Sequence, residues 1–214
     1  MIYLYLMNYA ERNQELAILA INTFLMDCNS ANYKIRGLAL RTLCSLRFEG
    51  VSDYIQQAIQ NGIRDPDPYV KKTAIIGIVK LYRINRPAVM QSEFVETLYK
   101  LLRDGDSQVV SNAILALNEI LEDDGGISIS RKLIIYLLNR FHEFNEWGQT
   151  LVLDMIQRYS PRDDNEMLDI LNILEERLSK SSASVLLGCT KIFIHYTKHS
   201  PDINKQVLQR LQGI

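Results

Sequence analysis

The 214-residue chain has the composition of an ordinary folded protein, with 47% apolar and 23% charged residues. Its 24 basic and 25 acidic residues give a formal net charge of −1, which excludes a global electrostatic attraction to nucleic acid or to an anionic membrane. Three cysteines, Cys28, Cys44 and Cys189, lie far apart among apolar residues. This predicts reduced core thiols in a cytosolic protein and no disulfide framework.

The first ten residues, MIYLYLMNYA, are apolar but do not resemble a signal peptide. They lack a basic segment and run directly into Glu11 and Arg12, so we interpret them as the last turns of a helix. Residues 203–211 begin another amphipathic helix. We therefore expect the chain to be a fragment of a longer array, truncated at both ends.

Between the two ends, helix-type spacing of apolar residues alternates with turns. Asp67 before Pro68, and Asp106 after Asp104, are predicted caps at helix N-termini, and Ser52 or Asp53 is predicted to cap another helix. Turns are expected at residues 48–50, 85–87 and 123–130. The predicted helices are 11–26, 32–46, 52–63, 68–82, 94–102, 109–121, 133–144, 147–159, 166–178 and 184–198.

One helix pattern recurs about every 35–39 residues. Its anchors are Ile35, Val70, Val109, Trp147 and Val185. Four residues later come Ala39, Ala74, Ala113, Leu151 and Cys189, and eight residues later come Leu43, Ile78, Leu117, Met155 and Phe193. Offsets of four and eight share one helix face. The period predicts an all-α fold, a right-handed superhelical α-solenoid of HEAT/armadillo-like hairpins, forming a single segment over residues 1–214. Such a fold favours binding and scaffolding.

Phosphate-binding glycine loops are absent from the sequence. Asp104 and Asp106 resemble the start of a calcium loop, but Val109 replaces its glycine, so we expect helix capping. His195 and His199 are four residues apart, without the zincin glutamate or a recognisable third ligand. We interpret both as residues that favour a helix C-terminus.

Other chemical candidates also have plain structural explanations. Cys44 and Cys189 occupy core-facing positions, which argues against a nucleophile. The pairs Lys71–Lys72 and Arg131–Lys132 are expected on solvated helix faces, and Trp147 is expected in the core. The sequence therefore predicts neither enzyme activity nor a cofactor or metal site.

Several segments resemble the N-terminal trunk of the beta adaptins, the large beta subunits of the heterotetrameric vesicle-coat adaptor complexes. They are YLYLMNYA (3–10), AILAINTFLMDC (17–28), IRGLALRTLCSLR (35–47), DPDPYVKKTA (65–74) and EWGQ (146–149). The segments keep the family's order over nearly the whole chain. GVSDYIQQAIQNGIRD, LLNRF, RYSPRDD and LDILNILEERLSKSS are most similar to the beta subunit of the fourth, clathrin-independent complex.

This resemblance implies a structural subunit in vesicle-mediated protein transport. Its expected partners are a second large adaptin, the medium and small subunits and an Arf-type GTPase, with no nucleic acid. The expected location is cytoplasmic, peripheral on trans-Golgi network and endosomal membranes. The family's GTPase-contact positions match Ile18 and Ile21. Two arrangements are possible for them. If the helix packs only through Leu16, Leu19, Ala20 and Phe24, both isoleucines are exposed. If the apolar stripe is broader, both are buried against the next helix.

A different helical scaffold, such as a nuclear transport receptor or a phosphatase scaffold, would show a similar period. An importin-type groove would repeat tryptophan and asparagine at matched positions, but this chain offers only Trp147 and Asn112 there. The sequence therefore favours the adaptor subunit.

Overall fold

The computed structural model describes residues 2–9, 14–46, 50–178 and 182–198, and all regular elements in these ranges are helical. The all-α prediction is therefore confirmed. By its internal contacts the chain divides into two compact units, Met1–Ile127 and Ser128–Ile214. A single continuous array over residues 1–214 stays a prediction.

In the first unit, successive helices pair as hairpins. The hairpins are α2–α3, α4–α5 and α7–α8, and their second helices, α3, α5 and α8, pack side by side. This stacking is that of an α-solenoid. The helices are α1 (Ile2–Tyr9), α2 (Gln14–Asp27), α3 (Tyr33–Leu43), α4 (Ser52–Gly62), α5 (Pro68–Ile84), α6 (Arg86–Met90), α7 (Phe94–Leu101) and α8 (Ser107–Ile120).

The second unit repeats this arrangement. Helix α9 packs on α10, α11 packs on α12, and the second helices α10 and α12 pack side by side. The predicted helix 133–144 is instead α9 followed by a 3₁₀ turn, Phe141–Glu143. The helices are α9 (Arg131–Asn139), α10 (Glu146–Arg158), α11 (Asp164–Leu178) and α12 (Ala183–Thr197).

The predicted core rows are confirmed. All residues four and eight positions beyond the anchors are buried in both units, from Ala39 and Leu43 to Cys189 and Phe193. Small residues permit close helix approach: a Cβ atom added at Gly77 would lie 2.8 Å from the Cys44 sulfur. A row residue also packs within its own hairpin, since a Cβ atom added at Gly62 of α4 would lie 3.2 Å from the Ala74 Cβ atom.

Two of the five predicted anchors are wrong, since Ile35 and Trp147 are exposed whereas Val70, Val109 and Val185 are buried. Helix α10 begins at its N-cap Asn145, and the caps of the other second helices lie three residues before the anchor. That register makes the buried Gly148 the fourth anchor, and it turns Trp147 outward. Ile35 lies on α3, whose second-helix neighbour among the described helices is α5 alone, and α3 packs otherwise against α2, α4 and the short α1.

Most predicted caps are confirmed. Asp67 accepts a hydrogen bond from the Tyr69 amide at 2.8 Å, and Asp106 accepts from the amides of Gln108 and Val109 at 2.9 and 3.0 Å. The predicted cap of α4 by Ser52 or Asp53 is wrong. Val51 precedes that helix with helical backbone angles and no side-chain cap, so the first turn already begins there.

The predicted turn at residues 85–87 is partly helical, because Asn85 accepts from the Ala88 amide at 3.2 Å and starts α6. The glycine-containing loop after α8 is confirmed. Gly125 and Gly126 have φ values of 89° and 83°, which glycine adopts without strain, and the Gly126 amide donates to the Leu121 carbonyl at 2.8 Å.

Polar bonds join successive hairpins. In the first unit, the residues after the first two anchors are basic, and each pairs with an aspartate of the next turn: Arg36 with Asp65 at 2.7 Å, and Lys71 with Asp104 at 2.7 Å. The third anchor, Val109, is followed by the uncharged Val110. Each aspartate also accepts an amide hydrogen bond from its own turn, at 2.8 and 2.9 Å. One carboxylate therefore fixes both a turn and its neighbouring repeat.

In the second unit, the residues after the anchors are Gln149 and Leu186, which are uncharged. The inter-hairpin bonds there come from other side chains. The Ser184 hydroxyl donates to Glu146, and the Tyr196 hydroxyl lies 2.6 Å from the Ile156 carbonyl and 2.8 Å from that of Tyr159, either of which accepts its proton.

Candidate protein-binding surface

The buried side of α2 holds this helix to the rest of the first unit. Ile21 and Phe24 are each only 2% exposed, and the Tyr3 ring of α1 packs against Phe24 at a centroid distance of 5.3 Å. The Tyr3 hydroxyl donates a hydrogen bond to Asp27, which raises the tyrosine pKa to about 12. Helix α2 is thus anchored both to α1 and, through its hairpin, to α3.

The opposite side of α2 is apolar and open to solvent. Ile18, Leu19 and Met26 are 49%, 71% and 75% exposed, and we name these three residues the α2 strip. At 100° per residue, Leu19 and Met26 lie roughly opposite Ile21 and Phe24 on the helix, whereas Ile18 lies at the edge of the strip, about 60° from Ile21. Large apolar side chains grouped on one exposed helix face are typical of a protein-binding surface.

The structure separates the two residues that the resemblance assigns to a GTPase contact. Ile18 is exposed and Ile21 is buried, so neither of the two packing alternatives holds for both residues. Phe24 of the predicted packing stripe is buried, but Leu19 is exposed and Ile21 is buried in its place. Ile21 belongs to the core face, so its side chain offers no direct contact surface in this conformation.

A second apolar series runs along α2 and into the residue after it. Ile21, Phe24 and Cys28 follow the i, i+3, i+7 spacing of a helix stripe, as do the residues chosen from the sequence. Because α2 is apolar nearly all round, periodicity alone does not distinguish the two faces. The neighbouring helices decide between them.

An exposed tryptophan in the second unit was missed. Trp147 is 64% exposed at the start of α10, contrary to the core position predicted for it. The cap Asn145 accepts from the Gly148 amide at 2.8 Å and sets this register. The sequence signal for this register was Asn145, because asparagine is a favourable N-cap residue and Gly148 follows it by three positions.

The three thiols are unsuited to nucleophilic chemistry. Burial raises the pKa of Cys44 to about 12 and that of Cys189 to about 11. Burial, together with the nearby Asp27 charge, raises the pKa of Cys28 to about 12. A nucleophilic cysteine requires the opposite shift, toward the thiolate.

Within the described ranges, no group of three His, Cys, Asp or Glu side chains is arranged to hold a metal ion. His195 lies exposed on α12, and His199 is outside the described residues. Asp104 and Asp106 serve as an ion-pair partner and a cap.

The pair Arg131–Lys132 lies at the exposed start of α9, and Arg131 is 3.5 Å from Glu166 and 3.6 Å from Asp169. Glu166 is buried and was not singled out from the sequence. It accepts hydrogen bonds from the Tyr159 hydroxyl and, at 3.0 Å, from the Arg162 amide, and the hydrogen bond from Tyr159 lowers its pKa. This network closes the turn between α10 and α11.

None of the described helices combines the length and apolar character needed to cross a lipid bilayer.

Stacked hairpins, buried thiols and exposed apolar helix faces define a protein-binding helical-repeat scaffold. The chain belongs to the adaptin N-terminal region family, whose sequence profile matches residues 1–213. This confirms the resemblance drawn from the sequence, and it favours the adaptor over a nuclear transport receptor or phosphatase scaffold.

Several relatives are similar over almost the whole chain. AP-4 complex subunit beta-1 of Mus musculus is 43% identical over 213 residues, covering 100% of this chain and 29% of the relative. Beta-adaptin-like protein A of Arabidopsis thaliana is 39% identical over 224 residues, covering 100% and 27%. AP-1 complex subunit beta-1 of Homo sapiens is 37% identical over 199 residues, covering 92% and 21%. The chain thus spans less than a third of the length of these relatives.

Among solved structures, a designed armadillo repeat protein is similar with a TM-score of 0.48 and 16% identity, covering 88% of this chain and 87% of that one. This value is too low to assign a common fold. The assignment to the helical-repeat class therefore depends on the hairpins themselves and on the family.

Proposed function

We propose that this chain is a non-catalytic, protein-binding part of the beta-type large subunit of a vesicle-coat adaptor complex. The observation that carries the proposal is the adaptin profile match over residues 1–213, in a chain 43% and 37% identical to subunits named for the AP-4 and AP-1 complexes. The resemblance to the fourth complex favours a clathrin-independent coat.

The proposed partners are a second large adaptin and the medium and small subunits. Through this assembly the chain would associate peripherally with trans-Golgi network or endosomal membranes, and it would act in cargo sorting. A stack of helices suits this role, because it presents long surfaces on which several proteins bind at once.

The α2 strip is the proposed contact for an Arf-type GTPase. Ile18, Leu19 and Met26 supply the exposed apolar area that the core of a protein interface requires. Ile21 has a positioning role, because its burial with Phe24 fixes the rotation of α2 and so presents Ile18 to the partner.

The composition of the complex tests the proposed function. The full-length protein is tagged, purified from its own cells and analysed by quantitative mass spectrometry. We expect near-equal amounts of a second large adaptin, a medium chain and a small chain. Recovery of nuclear transport cargo or of a phosphatase in their place would contradict the adaptor assignment.

Paired substitutions test the GTPase contact. Ile18→Asp should weaken binding of the GTP-loaded GTPase by about tenfold or more, without changing helix content or melting temperature, because the side chain is already solvated. Ile21→Asp should unfold α2, because it buries a charge.

Leu187→Asp, on an exposed apolar position of α12, serves as the matched control. It should leave GTPase binding unchanged. Equal binding by the Ile18→Asp variant, or loss of binding by the Leu187→Asp variant as well, would remove the α2 strip from the GTPase contact while leaving the adaptor assignment intact.

A further inference from the structure

The second helices of the first unit have an uneven charge. Helices α3 and α5 contain seven basic residues and no acidic residue, in a chain whose formal net charge is −1. The basic residues are Lys34, Arg36, Arg41, Lys71, Lys72, Lys80 and Arg83. A concentration of one sign on two adjacent helices produces a local positive field that the net charge conceals.

Three of these cations stabilise the fold itself. Arg36 pairs with Asp65 and Lys71 with Asp104, and in both pairs the side chains are largely buried. Arg83 pairs with Glu119 of α8 at 2.6 Å on the surface. These ion pairs account for the cations at the repeat junctions.

The other cations lie on one side of the two helices, where Lys34 and Arg41 are exposed and Lys72 and Lys80 are half-buried. Lys34, Leu38 and Arg41 follow i, i+4, i+7 spacing along α3, and Lys72 and Ile76 follow i, i+4 spacing along α5. Lys34, Arg41 and Lys72 form no ion pair within the described part of the chain. The two helices are joined at this face by the hydrogen bond from the Lys80 ammonium to the Ser45 hydroxyl, at 2.6 Å.

The face continues onto α8, because the Lys72 ammonium donates to the Gln108 side chain at 2.7 Å. Apolar residues occupy its centre: Leu38, Ile76 and Leu115 are all exposed, and Ile76 is 48% exposed. We name the face formed by Lys34, Leu38, Arg41, Lys72, Ile76 and Leu115 the α3–α5 face. It combines a solvated apolar centre with cations at its edges.

The chemistry of this face distinguishes between classes of partner. Phosphate headgroups of a membrane would satisfy its cations but would leave Ile76 and Leu115 uncovered. Single-stranded nucleic acid requires open aromatic rings for base stacking. Tyr33 and Tyr69 contact each other edge to face at 6.5 Å, and the Lys34 and Lys72 ammonium groups lie 5.8 Å from their ring centroids, so these rings are already engaged.

We propose that the α3–α5 face binds an acidic, amphipathic segment of a partner protein. Carboxylates of this segment lie against Lys34, Arg41 and Lys72, and its apolar side chains cover Leu38, Ile76 and Leu115. Charge complementarity sets the orientation and the association rate, and burial of the apolar centre supplies affinity. This binding surface is separate from the α2 strip and does not depend on the adaptor assignment.

A defined peptide tests the proposal. The probe is a fluorescein-labelled amphipathic peptide of about 16 residues, with Glu along one side and Leu along the other at helix spacing. Its binding to the purified full chain is followed by fluorescence anisotropy. The triple variant Lys34→Gln/Arg41→Gln/Lys72→Gln should lower the affinity about tenfold, since exposed charge pairs each contribute modestly.

The matched control, Lys132→Gln/Lys191→Gln/Lys198→Gln, changes the net charge equally at exposed positions of the second unit. It should leave peptide affinity unchanged, and both triple variants should melt like the wild type. Ile76→Ser should also weaken binding while keeping every cation. A peptide with Ser in place of Leu should bind more weakly than the original.

Four results would overturn the proposal. The first is that the peptide does not bind, and the second is that both triple variants lose peptide affinity equally. The third is that the Ser-substituted peptide binds as well as the original. The fourth is preferential binding of phosphatidylserine vesicles or of oligo-dT that the first triple variant abolishes. The last result would assign the face to a membrane or to nucleic acid.

Discussion

The two units of this chain share their apolar rows and differ in the polar bonds that join successive hairpins. In both, the residues four and eight positions after the anchor are buried. The first unit adds the charged pairs Arg36–Asp65 and Lys71–Asp104, whereas the second uses hydroxyl groups of Ser184 and Tyr196 and the longer Arg131–Glu166 ion pair at 3.5 Å. The apolar rows are thus the constant part of the architecture, and the polar bonds are interchangeable.

The difference begins at a single repeat position. The residue after the anchor is Arg36 or Lys71 in the first two repeats, and Val110, Gln149 or Leu186 in the later ones. A cation there reaches the aspartate of the next turn, and an uncharged residue does not. The first unit therefore gains ion pairs that respond to pH and salt, whereas the Tyr196 hydrogen bond is between neutral groups.

Truncation of the shared rows should have the largest effect, and it should be similar in both units. Ile78→Ala and Phe193→Ala each leave a cavity in the core and should destabilise their own unit by about 2–5 kcal/mol. Hydrogen exchange with peptide-level mass spectrometry on the full chain reports each unit separately.

The exposed neighbours Ile76→Ala and Ile194→Ala are the controls, and each should cost less than about 0.5 kcal/mol. A large loss in one unit and none in the other would refute the idea that the apolar rows are equivalent.

Removal of the Tyr196 hydroxyl should have an intermediate effect, confined to the second unit. Tyr196→Phe leaves the carbonyl that it bonds, Ile156 or Tyr159, without this donor, so the second unit should lose about 1 kcal/mol at any salt concentration. The matched control is Tyr54→Phe, because Tyr54 is half exposed and forms no hydrogen bond within the described part of the chain. Faster exchange in residues 50–127 of the Tyr196→Phe variant would show that the bond is not local.

The acid response of Asp65 should be the smallest effect, and it should be confined to the first unit. Burial alone would raise the pKa of Asp65, but hydrogen bonds from Arg36 and from the Asp67 amide outweigh it and lower the pKa. A lowered pKa gives stability above the carboxyl's ordinary value near 4, and that stability is lost as the pH falls through the folded-state value.

Acidification below about pH 4 should therefore lower the protection factors at residues 33–43 and 63–70, taken relative to the intrinsic exchange rate at each pH, by less than about fivefold from this group. In Asp65→Asn this part of the pH dependence should disappear. Asp123→Asn, in the exposed pair with Arg86, should keep it. An unchanged pH profile in Asp65→Asn would mean that this ion pair adds no stability.

The repeat pattern predicted most of the fold, because small and large apolar residues at fixed helix offsets indicate stacked helical hairpins. The caps at Asp67 and Asp106 were also predictable, because an aspartate directly before a helix accepts hydrogen bonds from the amides of its first turn. The burial of Ile21 could not be predicted, because α2 is apolar on several sides and its buried face depends on contacts with α1 and α3. The α3–α5 face could not be predicted from the sequence, because adjacent basic residues in a sequence do not show which of them form ion pairs in the folded protein.

The outward position of Trp147 gives the protein a built-in optical reporter. It is the single tryptophan of the chain, so the indole emission comes from one place, the start of α10. With 64% of the residue in water, its emission should be red-shifted and readily quenched by acrylamide in the native state. A protein that covers this end of α10 should shift the spectrum to the blue and protect the indole from quenching, so association at this site can be measured without any label.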